Sequence, residues 1–224
     1  MLVAGNGLLM TGGGQMSPTR LLRLAGLVSV AAGVLLVVTQ LVGALGFVVV
    51  DGDPVRRARS ALVGVNGLLT LLAVYLLLVG LVGLYARQSA ASGTLGLVGF
   101  LVAVLGTMLL AGAWWLEAFA VPYAAHKAPA LVRDTPTGWL LAGGAVSFGV
   151  FALGWVLFGL ASLRARVFPH DAAVLLIIGG VIGLLIAVVP GAGVPLALAV
   201  VWMGMWLLRS DRGGQVKLVP PRRR

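Results

Sequence analysis

The chain has 224 residues, of which 60% are hydrophobic and 10% are charged, with a mean hydropathy of +1.09. Soluble domains carry about 25% charged residues, so this chain cannot cover a globular surface with charge and belongs in a bilayer. The sequence contains no cysteine, which excludes disulfides, thiolate metal sites and cysteine nucleophiles. Its formal charge of +10 lies in short loops and a terminal tail, where the positive-inside rule explains it without nucleic-acid binding.

Six apolar stretches predict an all-α fold, a polytopic membrane bundle with about six transmembrane helices, because about 20 helical residues cross a hydrocarbon core. The last apolar region is divided by the segment from Pro190 to Pro195, which predicts a tight turn between two short spans. A kinked re-entrant hairpin would leave a similar pattern. The predicted transmembrane domain covers residues 20–208, with spans at about 24–50, 61–86, 94–121, 139–163, 172–189 and 193–208.

Two terminal segments flank this domain. Residues 1–19 are Gly-rich and predict a flexible extension, with Met16 as an alternative start of translation. Residues 209–224 form a basic tail, predicted to be cytoplasmic and to lie against anionic lipid headgroups. Its candidate headgroup contacts are Arg209, Arg212, Lys217, Arg222, Arg223 and Arg224.

The distribution of basic residues predicts the orientation. With the N-terminus in the cytoplasm, eleven lysines and arginines fall on the inner side and five on the outer side, so both termini are predicted to be cytoplasmic. The outer cluster of Arg56, Arg57 and Arg59 opposes this orientation and is offset in part by Asp51 and Asp53.

Polar side chains inside the predicted spans are the informative ones, because each needs a partner or water in lipid. Their predicted depths fall in the outer half of the bilayer or at its midplane. Two hypotheses compete: hydrogen bonds that tie the helices together, or a water-filled vestibule open to the outside in which a small solute binds. The candidate cluster consists of Gln40, Asn66, Thr70, Thr107, Glu117 and Ser147.

Glu117 is the only acidic residue inside a predicted span. It lies about one turn before Pro122, so we expect it at the interface, paired with Arg56, Arg57 or Lys127. A proton relay or a cation site would need greater depth or a second intramembrane charge, and the predicted spans offer none.

The residue types needed for catalysis are sparse. His126 and His170 are predicted on opposite sides of the membrane, so they cannot share a metal or a haem. Ser147 has no histidine at its depth for a membrane protease. We therefore predict a protein that is not an enzyme, with no catalytic residues, no cofactor and no metal.

Glycine is abundant, with 33 residues. Several recur at near-helical spacing and predict close helix packing. The glycine faces and apolar character of spans 5 and 6 predict contacts with a second copy or with a partner protein. The glycines in question include Gly96, Gly99, Gly143, Gly179, Gly180 and Gly183.

Short segments along the chain resemble a family of uncharacterised bacterial, actinobacterial-type, six-span integral membrane proteins built on a domain of unknown function. The resemblance rests on residues 19–26, 83–87, 117–122 and 157–166 and on the turn at Pro190. It implies a six-helix fold and a plasma-membrane location. It supplies no substrate and no catalytic residue.

These features together predict a multi-pass protein of the bacterial plasma membrane with a structural, accessory or interaction function. The predicted partners are the lipid bilayer and either a second copy or another membrane protein, without nucleic acid. The alternative is a small-solute channel or transporter that uses the outward-facing polar vestibule.

Overall fold

A computed structural model of the chain describes residues 18–49, 52–186 and 189–213, and every element in these ranges is helical. The elements in chain order are α1 (Pro18–Val49), α2 (Pro54–Ala58), α3 (Ala61–Trp115), a π-helical turn (Leu116–Ala120), α4 (Val121–Lys127), α5 (Pro129–Arg133), α6 (Gly138–Ala165), α7 (His170–Ile182), a 3₁₀ turn (Gly183–Leu185) and α8 (Val194–Gly213).

Three apolar helices in the described part of the chain are long enough to cross a membrane. They cover Arg20–Gly46, Ala61–Lys127 and Gly138–Ala165, with 27, 67 and 28 residues. Two further apolar helices, His170–Leu185 and Val194–Ser210, are shorter. The predicted helical membrane bundle is therefore confirmed at this level.

The 67-residue helix is folded back on itself at Gly93. This residue has φ 57° and ψ −150°, a conformation that an L side chain rarely adopts. A methyl group at Gly67 would lie 3.1 Å from Cβ of Ala118, and the rings of Tyr85 and Phe100 stack with centroids 4.3 Å apart. The residues before and after Gly93 thus form an antiparallel pair, which we name the first arm (61–92) and the second arm (94–115) of α3.

Six helical segments form a closed ring in chain order. Each segment packs antiparallel to the next, and α8 packs against α1 to close the ring. Glycines mark these close approaches. The glycines in contact with the neighbouring segment include Gly26, Gly33, Gly80, Gly83, Gly99, Gly106, Gly154, Gly159, Gly179, Gly180 and Gly204.

The antiparallel ring places the start of α1 beside the end of α8, where Gly26 meets Gly204 and Leu208. We call this end of the bundle the terminal end; it also carries Gly93 and residues 166–169. The opposite end carries α2, α4 and α5, and we call it the cap end; the turn at residues 189–193 faces this end.

The α7–α8 hairpin is shorter than the rest of the bundle. At 1.5 Å per residue, the run from His170 to Leu185 rises about 24 Å, against about 48 Å for α1. Gly191 adopts φ 86°, and the Val194 N–H donates to the carbonyl of Gly191, which closes the turn. The structure thus has the turn predicted around Pro190, between two helices that pack against each other.

Helix boundaries differ from the predicted spans in several places. The first arm of α3 continues past Ala86 to residue 92, where a polar loop was predicted. Pro122 was expected to end its span, but it occupies the first turn of α4, a position where a missing N–H is tolerated. The predicted loop after Pro122 contains the short helices α4 and α5.

The predicted flexible extension falls almost entirely on residues 1–17, and Lys217, Arg222, Arg223 and Arg224 of the predicted tail lie beyond residue 213. These positions are outside the described residues.

Candidate functional site

Gln40 contacts the turn of the short hairpin. Its Oε1 accepts a hydrogen bond from the backbone N–H of Gly193 at 3.4 Å. A methyl group at Gly193 would lie 3.0 Å from the Gln40 side-chain carbonyl carbon, so glycine allows this approach. The N–H groups just ahead of a helix have no partner within it, and the Gln40 amide supplies one at the start of α8.

A small cavity lies beside Gln40 at the centre of the ring. Its volume is about 20 Å³, which holds one water molecule. Gln40 and Thr70 are its polar lining residues. The apolar lining residues are Leu36, Val74, Leu77, Leu110, Trp114, Phe151, Ile186 and Leu196.

The hydroxyls of the predicted polar cluster bond mainly to their own helices. Thr70 Oγ1 donates to the carbonyl of Asn66 at 2.8 Å, Thr107 Oγ1 to that of Ala103 at 2.6 Å, and Ser147 Oγ to that of Gly143 at 2.7 Å. Such bonds are common for hydroxyls inside helices. These three side chains therefore have hydrogen-bond partners without a solute.

Thr107 also ties two helices together. The indole N–H of Trp155 donates to Thr107 Oγ1 at 3.2 Å, and both side chains are fully buried. Trp155 packs between Phe151 and Phe158 with ring centroids 6.2 and 6.1 Å away. This contact fixes the second arm of α3 against α6.

Asn66 is buried, and its Oδ1 has no hydrogen-bond partner among the described residues. A methyl group at Gly43 of α1 would lie 3.4 Å from Asn66 Nδ2. The side chain therefore faces α1 and not the small cavity. An unpartnered buried oxygen of this kind is a place where a water molecule binds.

Glu117 lies in the π-helical turn and has an exposed side chain. An ion pair at the cap end joins Arg133 and Asp53, at 3.6 Å. Of the six predicted cluster residues, the structure brings Gln40 and Thr70 to one cavity. It places Asn66, Thr107, Glu117 and Ser147 elsewhere.

A second polar cluster at the terminal end was not predicted. Ser162 Oγ lies 2.8 Å from Gln88 Oε1 and 2.9 Å from the carbonyl of Phe158, and its single proton serves one of these acceptors at a time. Gln88 and Ser162 are fully buried, and Gln88 Nε2 and Ser92 Oγ have no partner among the described residues. The spacing of Leu84, Gln88 and Ser92 by four carried the signal, because it continues one buried helix face.

At the cap end, the short helix α2 between α1 and α3 packs against the short helix α4 between α3 and α6. Asp53 Oδ1 accepts from the backbone N–H of Val55, and the Arg59 guanidinium donates from Nε and Nη2 to the carbonyl of Ala125, at 3.0 Å from Nε. Val55 and Ala58 of α2 pack on Ala125 of α4. These hydrogen bonds and apolar contacts hold the connection between α1 and α3 against the connection between α3 and α6.

The histidines and the headgroup candidates lie at the bundle ends. His126 is exposed at the cap end and His170 at the terminal end. The described residues hold no group of three or more His, Cys, Asp or Glu side chains that could bind a metal. Arg209 is exposed in the last turns of α8, and Arg212 belongs to the same helix.

No protein-family model matches the chain, and comparisons with curated proteins and with solved structures found no similar protein. The resemblance to a six-span bacterial family therefore stays a prediction.

Proposed function

We propose that the protein is a multi-pass component of the bacterial plasma membrane that acts through helix contacts with another membrane protein or a second copy, without catalysis. Its buried polar side chains support this proposal. Gln40, Thr107, Gln88 and Ser162 bond to other parts of the same bundle. These groups hold the fold together, so a partner has to be bound by the outer surface.

The proposed topology has six membrane spans with both termini in the cytoplasm. Six antiparallel segments support it, because an even number of crossings returns the chain to its starting side. The terminal end carries Arg23, Arg87, Arg164, Arg166 and Arg209, as the positive-inside rule expects of a cytoplasmic face.

Basic residues at the cap end count against the proposed orientation, but two of these arginines have partners within the fold. Arg59 binds the carbonyl of Ala125, and Arg133 pairs with Asp53. These contacts give both arginines a role in the fold of the end that we propose to lie outside.

The first half of α6 is the surface that we propose for partner contacts. No residue between 138 and 150 is buried, although a helix packed on one side buries a residue every three or four positions. Trp139 is 93% exposed. The helix α7 ends at Ile182, and the next residue, Gly183, contacts Phe151, so α7 itself packs along the half of α6 that follows residue 150.

Glycines support the same surface. Methyl groups at Gly143, Gly144 and Gly149 would meet nothing within 4 Å. Gly143 and Ser147 have the spacing of small residues that lets two membrane helices approach closely. By contrast, Gly179 and Gly180, which the sequence suggested as partner contacts, pack inside the bundle against Leu196 and Val156.

Single-cysteine cross-linking tests this proposal directly, since the chain has no native cysteine. Val146→Cys lies on the proposed surface and is 57% exposed; Val82→Cys on α3 is a matched control and is 54% exposed. In native membranes we expect a cross-linked product of double mass, or a discrete adduct with another protein, for Val146→Cys alone. Equal cross-linking of both variants, or none for Val146→Cys, would contradict the proposal.

The alternative function, a small-solute channel or transporter, receives less support. It needs a continuous polar space open to the outside, whereas the cavity at Gln40 and Thr70 has a volume of about 20 Å³ and mainly apolar walls. Solute-dependent protection of a cysteine introduced at position 40 or 70 would favour this alternative.

A further inference from the structure

A crevice at the terminal end combines an apolar wall with basic side chains. Its volume is about 370 Å³, and Leu163, Arg166, Phe168 and His170 line it. This volume falls within the range of small-ligand sites. Leu163 and Phe168 supply the apolar surface, and Arg166 and His170 supply nitrogen donors.

The apolar wall is held in place by contacts with neighbouring helices. Phe168 is 5% exposed and packs edge-to-face on Trp206 of α8, with ring centroids 5.3 Å apart. The guanidinium of Arg87 lies over Trp206 at 5.7 Å. The wall therefore connects α3, α8 and the link between α6 and α7, so the crevice exists without a ligand to order it.

Arg166 ends α6 in a left-handed conformation, with φ 52° and ψ 28°, and its N–H donates to the carbonyl of Ser162 at 3.1 Å. Among the described residues, the structure pairs neither Arg166 nor the neighbouring Arg164 with a carboxylate. Among the side chains that the structure describes at this edge, the carboxylate of Asp171 lies 3.5 Å from Nδ1 of His170. The guanidinium of Arg166 is thus available to an external anion.

We propose that this crevice binds the phosphate headgroup of an anionic phospholipid, with the Arg166 guanidinium on the phosphate and the glycerol and upper acyl chain along Leu163 and Phe168. Guanidinium groups match phosphate geometry through paired N–H donors. An apolar wall beside the charge favours a lipid over a free anion, because a lipid buries hydrocarbon there. The assignment rests on the proposed membrane orientation, which places this end at the inner leaflet.

Native mass spectrometry of the full chain in detergent tests the proposal. The probes are phosphatidylglycerol and phosphatidylcholine with identical acyl chains. We expect wild-type protein to retain phosphatidylglycerol about fivefold more than phosphatidylcholine, the preference that one basic residue near the surface gives. Equal retention of the two lipids would overturn the proposal.

The variant Arg166→Gly removes the guanidinium and keeps the fold, because glycine is the residue preferred at a left-handed helix end. We expect it to lose the preference for phosphatidylglycerol without a loss of thermal stability. Arg164→Ala is the matched control, since Arg164 is exposed on the same helix and does not line the crevice, and it should keep the preference.

A preference that survives in Arg166→Gly, or falls equally in Arg164→Ala, would contradict the assignment. An excess of inorganic phosphate separates the two sources of a phosphate group: it should leave lipid retention unchanged. Displacement of the lipid by phosphate would overturn the lipid assignment in favour of a soluble phosphate. Because the assay contains no bilayer, its failure would leave the proposed topology and partner surface untouched.

Discussion

The side chain of Gln40 and the backbone of Gly193 are joined by a hydrogen bond across 153 positions of sequence. The bond connects the long helix α1 to the turn of the short α7–α8 hairpin. About nine residues of α1, or about 14 Å, continue beyond this level toward the cap end. Gly193 is buried inside the bundle, where an unpaired backbone N–H is costly.

Gln40→Leu should destabilise the bundle, because it keeps the approximate size of the side chain and removes the acceptor for Gly193. We expect a loss of about 1–2 kcal/mol, seen as a thermal midpoint lower by about 2–8 °C in detergent. Thr39→Val is the control, since Thr39 Oγ1 donates to the carbonyl of Leu36 in its own helix. Equal midpoints for the two variants would show that the Gln40 contact does not stabilise the turn.

Two glycines of α6 should respond to alanine with opposite signs. A methyl group at Gly154 would lie 2.4 Å from Cα of Ala103, whereas one at Gly144 would meet nothing within 4 Å. Gly154→Ala must separate two backbones and should cost about 1–3 kcal/mol. Gly144→Ala should gain up to about 1 kcal/mol from helix propensity. Chemical denaturation measures both changes, and a stabilising Gly154→Ala would disprove the close approach of α3 and α6.

The Gln88–Ser162 contact should appear as a coupling energy. We expect the double-mutant cycle of Gln88→Leu and Ser162→Ala to give about 0.6 kcal/mol, with an upper limit near 1.7 kcal/mol. The control cycle replaces Gln88→Leu with Ser89→Ala, because Ser89 is exposed and donates to the carbonyl of Ala86 in its own helix. Equal coupling energies in the two cycles would contradict a stabilising contact between Gln88 and Ser162.

Arg59 should order the cap end. Arg59→Ala removes both donors to the carbonyl of Ala125, so amide hydrogens in residues 121–133 should exchange faster with deuterium. Lysine cannot supply the same planar pair of donors, so Arg59→Lys should exchange nearly as fast. Arg56→Ala is the control, since Arg56 is exposed on α2. Equal exchange in Arg59→Ala and Arg56→Ala would contradict a role for Arg59 in fastening the cap.

Hydrophobic length alone predicted the helical membrane bundle, because apolar runs of this length have few other stable structures in a chain with 10% charge. The break at Gly93 was harder to place. The predicted spans 61–86 and 94–121 left residues 87–93 as a connection, but Gln88 and Ser92 continue the buried face of the helix. Polarity indicates a loop only where the side chains can reach water.

The contacts of the polar side chains could not be predicted from their depth in the bilayer, which is all that counting residues along a span gives. Gln40 and Asn66 were both placed in the outer half of the bilayer or at its midplane, and the structure directs one to the turn at Gly193 and the other to α1 near Gly43. Depth follows from counting residues, whereas the direction of each side chain follows from the rotation of its helix in the ring. The contacts of Gln88 with Ser162 and of Arg59 with Ala125 join residues more than 60 positions apart and have no local signal.

The central claim is that six helices cross the membrane, with the terminal end in the cytoplasm and the cap end outside. Labelling of single cysteines in intact cells with a membrane-impermeant maleimide tests it most directly. Lys127 and Arg164 are exposed at opposite ends of the bundle. We predict that Lys127→Cys is labelled in intact cells and that Arg164→Cys is labelled only after the membrane is permeabilised. Labelling of position 164 from outside, or of both positions from the same side, would contradict the claim.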